Sequence, residues 1–121
     1  MAKKILVVGG DASQRRVVYG IVEPLGTIYE AANGKDALRL VAAEKPELML
    51  LDAEIPDFAG LSIVTAARFL DPGLPILLLT GAGFAETDPR ILDDGIRARI
   101  AKPIDPEGLR DEIRRAFVGK V

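Results

Sequence analysis

The chain has 121 residues, 49% of them hydrophobic, and 16 basic against 18 acidic side chains leave a formal charge of −2; this suits one domain with one core, and the scattered basic residues argue against non-specific nucleic-acid binding. Cysteine and histidine are both absent, which excludes disulfides and thiolate metal sites and removes the commonest general base, the usual zinc ligand and any phosphohistidine on this chain. No apolar run approaches the roughly 18 residues of a membrane span, and "MAKK" leads straight into a short strand instead of a signal peptide, so a cytoplasmic protein without membrane contact is the expectation.

In chain order, "ILVV" (Ile5–Val8) reads as a buried strand running into the tight loop "GGDAS". Val18, Ile21, Val22 and Leu25 follow at i, i+3, i+4, i+7 and predict the first helix. A weaker strand, "TIYEA" (Thr27–Ala31), precedes a second helical stripe of Ala37, Leu38 and Val41. "LMLL" (Leu48–Leu51) is the third strand. Leu61, Val64 and Arg68 mark one side of a third helix, with Ile63, Ala66, Ala67 and Leu70 filling the rest. "ILLL" (Ile76–Leu79) is the fourth strand, and a short fourth helix is expected within Phe84–Asp94, starting near Asp88-Pro89. The last pair is "ARIA" (Ala98–Ala101) and a helix striped by Leu109, Ile113, Ala116 and Phe117. Asp105 stands at its N-cap position and Pro106 at its first helical position. Five strand–helix repeats with near-continuous apolar strands predict an α/β fold: a parallel sheet covered by helices on both faces, in three layers, as one domain over residues 1–121.

In such sheets the functional site lies at the carboxyl ends of the strands. Strand 1 ends in Gly9, Gly10 and Asp11, strand 3 in Asp52, strand 4 in Thr80, and strand 5 in Lys102 followed by Pro103. Each polar residue alone is read as a cap, a turn residue or a solvated lysine. Together they bring a carboxylate, a hydroxyl and an ammonium to one edge.

The segments "LLDAEIPDFAGL" (Leu50–Leu61), "PILLLTGA" (Pro75–Ala82) and "AKPID" (Ala101–Asp105) resemble the receiver domains of two-component response regulators. The Asp52, Pro56, Gly60 spacing, Thr80 and the Lys-Pro pair carry the likeness, which spans essentially the whole chain. The resemblance implies the flavodoxin-like strand order 2-1-3-4-5 and a signal-relay function rather than an enzyme. It implies Asp52 as phosphoacceptor, Thr80 as the switch hydroxyl, Lys102 as the phosphate-pairing cation and a cis bond before Pro103. The implied partners are a sensor histidine kinase or a downstream protein. The chemistry agrees: a carboxylate attacking a phosphoryl donor meets charge repulsion, which nearby cations relieve.

Two features depart from the family. Receivers carry an acidic pair after strand 1 that holds a divalent cation, normally Mg²⁺; here those positions are Gly9 and Gly10, which offer no side-chain oxygen. Three readings stay open. The metal site is degenerate, so that restoring aspartates at Gly9 and Gly10 would recover it; or Asp11, Asp52 and Glu54 rebuild a weaker Mg²⁺ site, although Asp11 also reads as a helix cap; or the glycines form a phosphate-binding backbone loop, without the spacing of the known phosphate motifs. The second departure is Arg99, where receivers have an aromatic whose rotation follows phosphorylation. An arginine does not fill the same apolar slot.

Arg15–Arg16 and Arg114–Arg115 read as solvated helix faces; Tyr19, Tyr29, Phe58 and Phe84 are not spaced as a base-stacking platform, and Glu54 with Asp57 reads as ordinary loop polarity. With the acidic pair gone, Lys102 is expected to turn to Asp52. The sequence therefore predicts a receiver domain with impaired metal-dependent phosphorylation. The rival reading is an interaction module that works without phosphate.

Overall fold

Five strands form one parallel sheet: β1 (Lys3–Val8), β2 (Gly26–Ala31), β3 (Leu48–Asp52), β4 (Ile76–Thr80) and β5 (Ile96–Ala101), in the order β2-β1-β3-β4-β5. The computed structural model describes residues 3–53, 60–81 and 96–119. The helix expected within Phe84–Asp94 lies outside these residues, as do Glu54, Pro56, Asp57 and Phe58. The described helices are α1 (Ala12–Val22), continued by a 3-10 turn (Glu23–Leu25), then α2 (Gly34–Glu44), α3 (Gly60–Leu70) and α4 (Pro106–Gly119). This is the helix-covered parallel sheet that the strand–helix alternation predicts, in the flavodoxin-like order that the family resemblance implies.

The pattern of burial explains which runs became central strands. β3 and β4 are buried at every position, and β1 at its last four. Both faces of these strands carry helices, so their buried side chains are apolar up to Asp52 and Thr80, which close β3 and β4. The edge strands are less buried: β2 is fully buried only at Ala31, and β5 alternates, with Arg97, Arg99 and Ala101 exposed between half-buried Ile96, Ala98 and Ile100. One layer of core packs Leu6, Val8, Met49, Leu51 and Leu78 of the sheet against α2 and α3. The other packs Ile5, Val7, Leu48, Leu50, Leu77 and Leu79 against Val18, Ile21 and Val22 of α1 and Leu109, Ile113 and Ala116 of α4.

Local chemistry sets the ends of the helices. Asp11 caps α1 by accepting the Gln14 amide at 2.8 Å, and Asn33 caps α2 by accepting the Asp36 amide at 2.8 Å. Asp105 accepts the Gly108 amide at 3.2 Å, at the cap position the sequence indicates. Leu25, which the apolar stripe assigns to the first helix, sits in the 3-10 turn, because Pro24 has no N–H to continue the α-helical ladder. Gly26 opens β2 where the chain passes the Lys3 backbone; a Cβ there would overlap the Lys3 carbonyl oxygen.

Candidate functional site

The strand order reverses between β1 and β3, and the crevice outside their carboxyl ends is where this architecture places ligands. Val8 pairs with Leu51 in register, so the chain leaves β1 beside the residue that closes β3, Asp52. Leu48 and Leu50 face α1 and α4, and the two-residue period puts Asp52 next on that face, where it is only 3% exposed. A buried carboxylate is costly unless charge or hydrogen bonds compensate it.

Lys102 supplies that charge. Its amide donates to the Thr80 carbonyl at 2.9 Å, which extends the β4–β5 pairing beyond Thr80 and Ala101. The Lys102–Pro103 peptide bond is cis. The ammonium lies 2.7 Å from Asp52 Oδ2 and donates to Gln14 Oε1 at 3.4 Å. Thr80 closes β4, is 3% exposed and stands one residue beyond Leu79, the cross-strand partner of Asp52. Asp52, Thr80 and Lys102 thus come to one sheet edge.

The glycine loop is more than a pair of missing side chains. Gly9 and Gly10 have φ of 89° and 76°, in the left-handed region that L residues avoid. The Gly9 amide donates to the Ala31 carbonyl at 2.8 Å. A Cβ on Gly10 would lie 2.8 Å from Gln14 Oε1 and 3.4 Å from Asp52 Oδ2. Gln14 therefore occupies the space into which a residue-10 side chain would grow. Restored aspartates would therefore enter a backbone shaped for glycine, and one at residue 10 would displace the movable end of the Gln14 side chain.

The other readings of the loop meet the same geometry. Asp11 spends one carboxylate oxygen on capping α1, and Glu54 lies outside the described residues. Among the described residues, no group of three or more His, Cys, Asp or Glu side chains is placed to hold a metal ion. Around Asp52 the glycines supply no side-chain oxygen and an ammonium already neutralises Oδ2, so the described side chains make a poor donor set for a divalent cation. A phosphate cradle loses the Gly9 amide to Ala31.

Arg15 is also repositioned relative to expectation. Its side chain is 19% exposed rather than solvated, with Nη1 donating to the Gly10 carbonyl at 2.7 Å and Nε 3.5 Å from Glu30. It ties the glycine loop to α1. Arg16 is exposed, and Arg114 and Arg115 are exposed and paired with Asp111 and Glu112, as a solvated face requires. Arg99 is exposed on β5, opposite Leu78. Gln14 and Arg15 are the site residues that composition and spacing passed over. The signal for Gln14 was present: Asp11-Ala-Ser-Gln14 has capping-box spacing, but its side chain turns to Lys102 instead of back to the cap.

The model of the response regulator receiver domain family matches residues 5–114. Sporulation initiation phosphotransferase F of Bacillus subtilis is 29% identical over 116 residues, covering 95% of this chain and 94% of that protein. A CheY-like response regulator receiver domain protein from Methanospirillum hungatei has 27% identity and a TM-score of 0.92, covering 99% of this chain and 97% of that one. NtrX from Brucella abortus has 28% identity and a TM-score of 0.88 over 99% of this chain, which spans 27% of the NtrX chain. The family match over nearly the whole length, on a sheet ordered β2-β1-β3-β4-β5 with an aspartate, a threonine and a lysine at its edge, means that this chain belongs to the receiver domains of response regulators.

Proposed function

We propose that this receiver takes a phosphoryl group on Asp52 in a phosphorelay, with its dependence on Mg²⁺ impaired by the glycine loop. The observation that carries this reading is the buried Asp52 carboxylate held 2.7 Å from Lys102 at the switch point of the sheet. One Asp52 oxygen attacks the phosphorus of a phosphohistidine on a sensor kinase, or of a small phosphodonor. The P–N or P–O bond to the donor breaks, and the leaving group departs with the electron pair and takes up a proton. Lys102 then exchanges a carboxylate partner for the new phosphoryl oxygens, and Thr80 is the hydroxyl that reorients toward them. Positive charge at the acceptor is what such a transfer needs. Lys102 offers it here as a single point charge, which cannot bridge donor and acceptor as a metal ion does.

A second reading is supported by Arg99 and the glycine loop together, since they alter both the input and the output ends of the mechanism. In it the domain binds a downstream protein without phosphate. Intact-mass spectrometry after prolonged incubation with acetyl phosphate separates the two. Addition of one phosphoryl group to the natural chain, absent from Asp52→Asn, supports the phosphoacceptor. No addition at any time, with a kinase or effector bound equally by the natural chain and Asp52→Asn, rejects it in favour of the interaction module.

A further inference from the structure

Between α1 and the loop leading into α4 lies a cavity of about 310 Å³ that reaches the Asp52–Lys102 pair at one end and extends away from it along an apolar wall. Its apolar wall is Val7, Val17, Val18, Leu79, Pro103 and Ile104. Val17 and Pro103 are exposed and stand at its mouth, while Val7, Val18 and Leu79 are buried and form its floor. Its volume lies at the low end of those that hold small molecules, which run from about 300 Å³ upward.

The polar end of this cavity is rich in donors. Lys102 and Arg15 line it with Gln14. The Lys102 ammonium has three N–H groups, of which two are directed at Asp52 and Gln14. Arg15 uses Nη1 on the Gly10 carbonyl and Nε on Glu30. Among the described residues, the third Lys102 N–H, Arg15 Nη2 and the Gln14 amide N–H groups have no acceptor. Asp52 also lines the cavity, but its charge is matched by Lys102, and Glu30, the partner of Arg15, has a side chain 42% exposed, where solvent screens it. An aliphatic wall ending in unfilled cationic and amide donors is complementary to an acceptor oxygen on an apolar body.

The geometry points to a binding site for a small monocarboxylate with a short aliphatic or single-ring body, its carboxylate between Lys102, Arg15 and Gln14 and its body against Val7, Val18 and Leu79. This goes beyond phosphorylation of Asp52 and does not rest on it. A bound carboxylate would draw on the same ammonium that Asp52 uses, so occupancy would report a metabolite to the receiver site directly.

Titration of the ¹⁵N-labelled chain with octanoate, acetate and 1-octanol, followed by amide chemical shifts, tests this. Octanoate is expected to give saturable shifts at Val7, Val17, Val18, Lys102 and Ile104. Acetate, lacking the methylenes, and 1-octanol, lacking the carboxylate, are each expected to bind about tenfold more weakly or worse. Val17→Trp, at an exposed position, is expected to close the mouth and abolish the octanoate shifts with the circular dichroism spectrum unchanged. Arg15→Gln is expected to weaken octanoate but not 1-octanol. Absence of saturable shifts at these amides overturns the site. Equal binding of 1-octanol and octanoate overturns the carboxylate, and full binding to folded Val17→Trp overturns the location.

Discussion

The Lys102 ammonium sits 2.7 Å from Asp52 Oδ2, with the aspartate side chain 5% exposed and the lysine side chain 21% exposed. A pair this buried behaves asymmetrically: removing one partner is costly, whereas replacing both by groups of similar shape can be close to neutral. Lys102→Met is therefore expected to lower stability by about 3 kcal/mol, and the double variant Asp52→Leu with Lys102→Met by less than the sum of the single changes, with a coupling of about 1 kcal/mol or more. Urea denaturation of the four proteins measures it, and strict additivity would mean that the contact carries no energy.

The glycine loop gives a second expected outcome. At φ of 89° and 76° a side chain strains the backbone by about 1–2 kcal/mol per residue. Gly9→Asp and Gly10→Asp should each lower the midpoint of thermal unfolding. In Gly10→Asp, the added Cβ also meets the Gln14 side chain. A further Gln14→Ala change should relieve the contact with Gln14 Oε1 and leave the backbone part, with the residue-14 Cβ still 3.2 Å from the added one. A Gly10→Asp protein as stable as the natural chain would show that the loop readily adopts another conformation.

Divalent-cation binding should follow the same geometry. The natural chain is expected to bind Mg²⁺ weakly. Gln14 already projects toward Lys102 from unstrained helix, so Gln14→Glu adds a carboxylate near Asp52 without the glycine strain. This single change is expected to raise Mg²⁺ affinity more than the Gly9→Asp, Gly10→Asp pair does. Isothermal titration of the three proteins decides it; tight binding by the natural chain would mean that residues such as Asp11 or Glu54 supply the missing ligands.

Much of this site was legible in the sequence because it depends on strand ends. Continuous runs such as "LMLL" and "ILLL" locate β3 and β4, and the residues that follow them, Asp52 and Thr80, are carried to the sheet edge by the fold itself. Lys102 follows by the same logic after β5, although that strand begins at Ile96, earlier than the apolar run shows, because an edge strand alternates Arg97 and Arg99 with apolar positions. What could not be read was conformation and reach. Glycine at 9 and 10 shows that side chains are missing, but not that φ is positive. Gln14 and Arg15 look like ordinary first-turn residues of α1, and only the packing of that turn against the β1 loop brings one to Lys102 and the other to Gly10. The cavity beneath them arises from the gap between α1 and the Pro103–Ile104 segment, which local sequence does not encode.

The central claim is that Asp52 accepts phosphate while the glycine loop weakens the help of a metal ion. A metal at a transferring phosphoryl group is worth several kcal/mol, and each ~1.4 kcal/mol is tenfold in rate. Loss of that contribution should slow transfer by roughly a thousandfold relative to receivers with the acidic pair. The most direct measurement is the rate of acetyl phosphate labelling, followed by intact mass, as Mg²⁺ is raised from none to saturating, with Asp52→Asn alongside. The account predicts slow labelling that Mg²⁺ accelerates little and that Asp52→Asn abolishes. Rapid labelling with steep Mg²⁺ dependence, or labelling that survives Asp52→Asn, would contradict it.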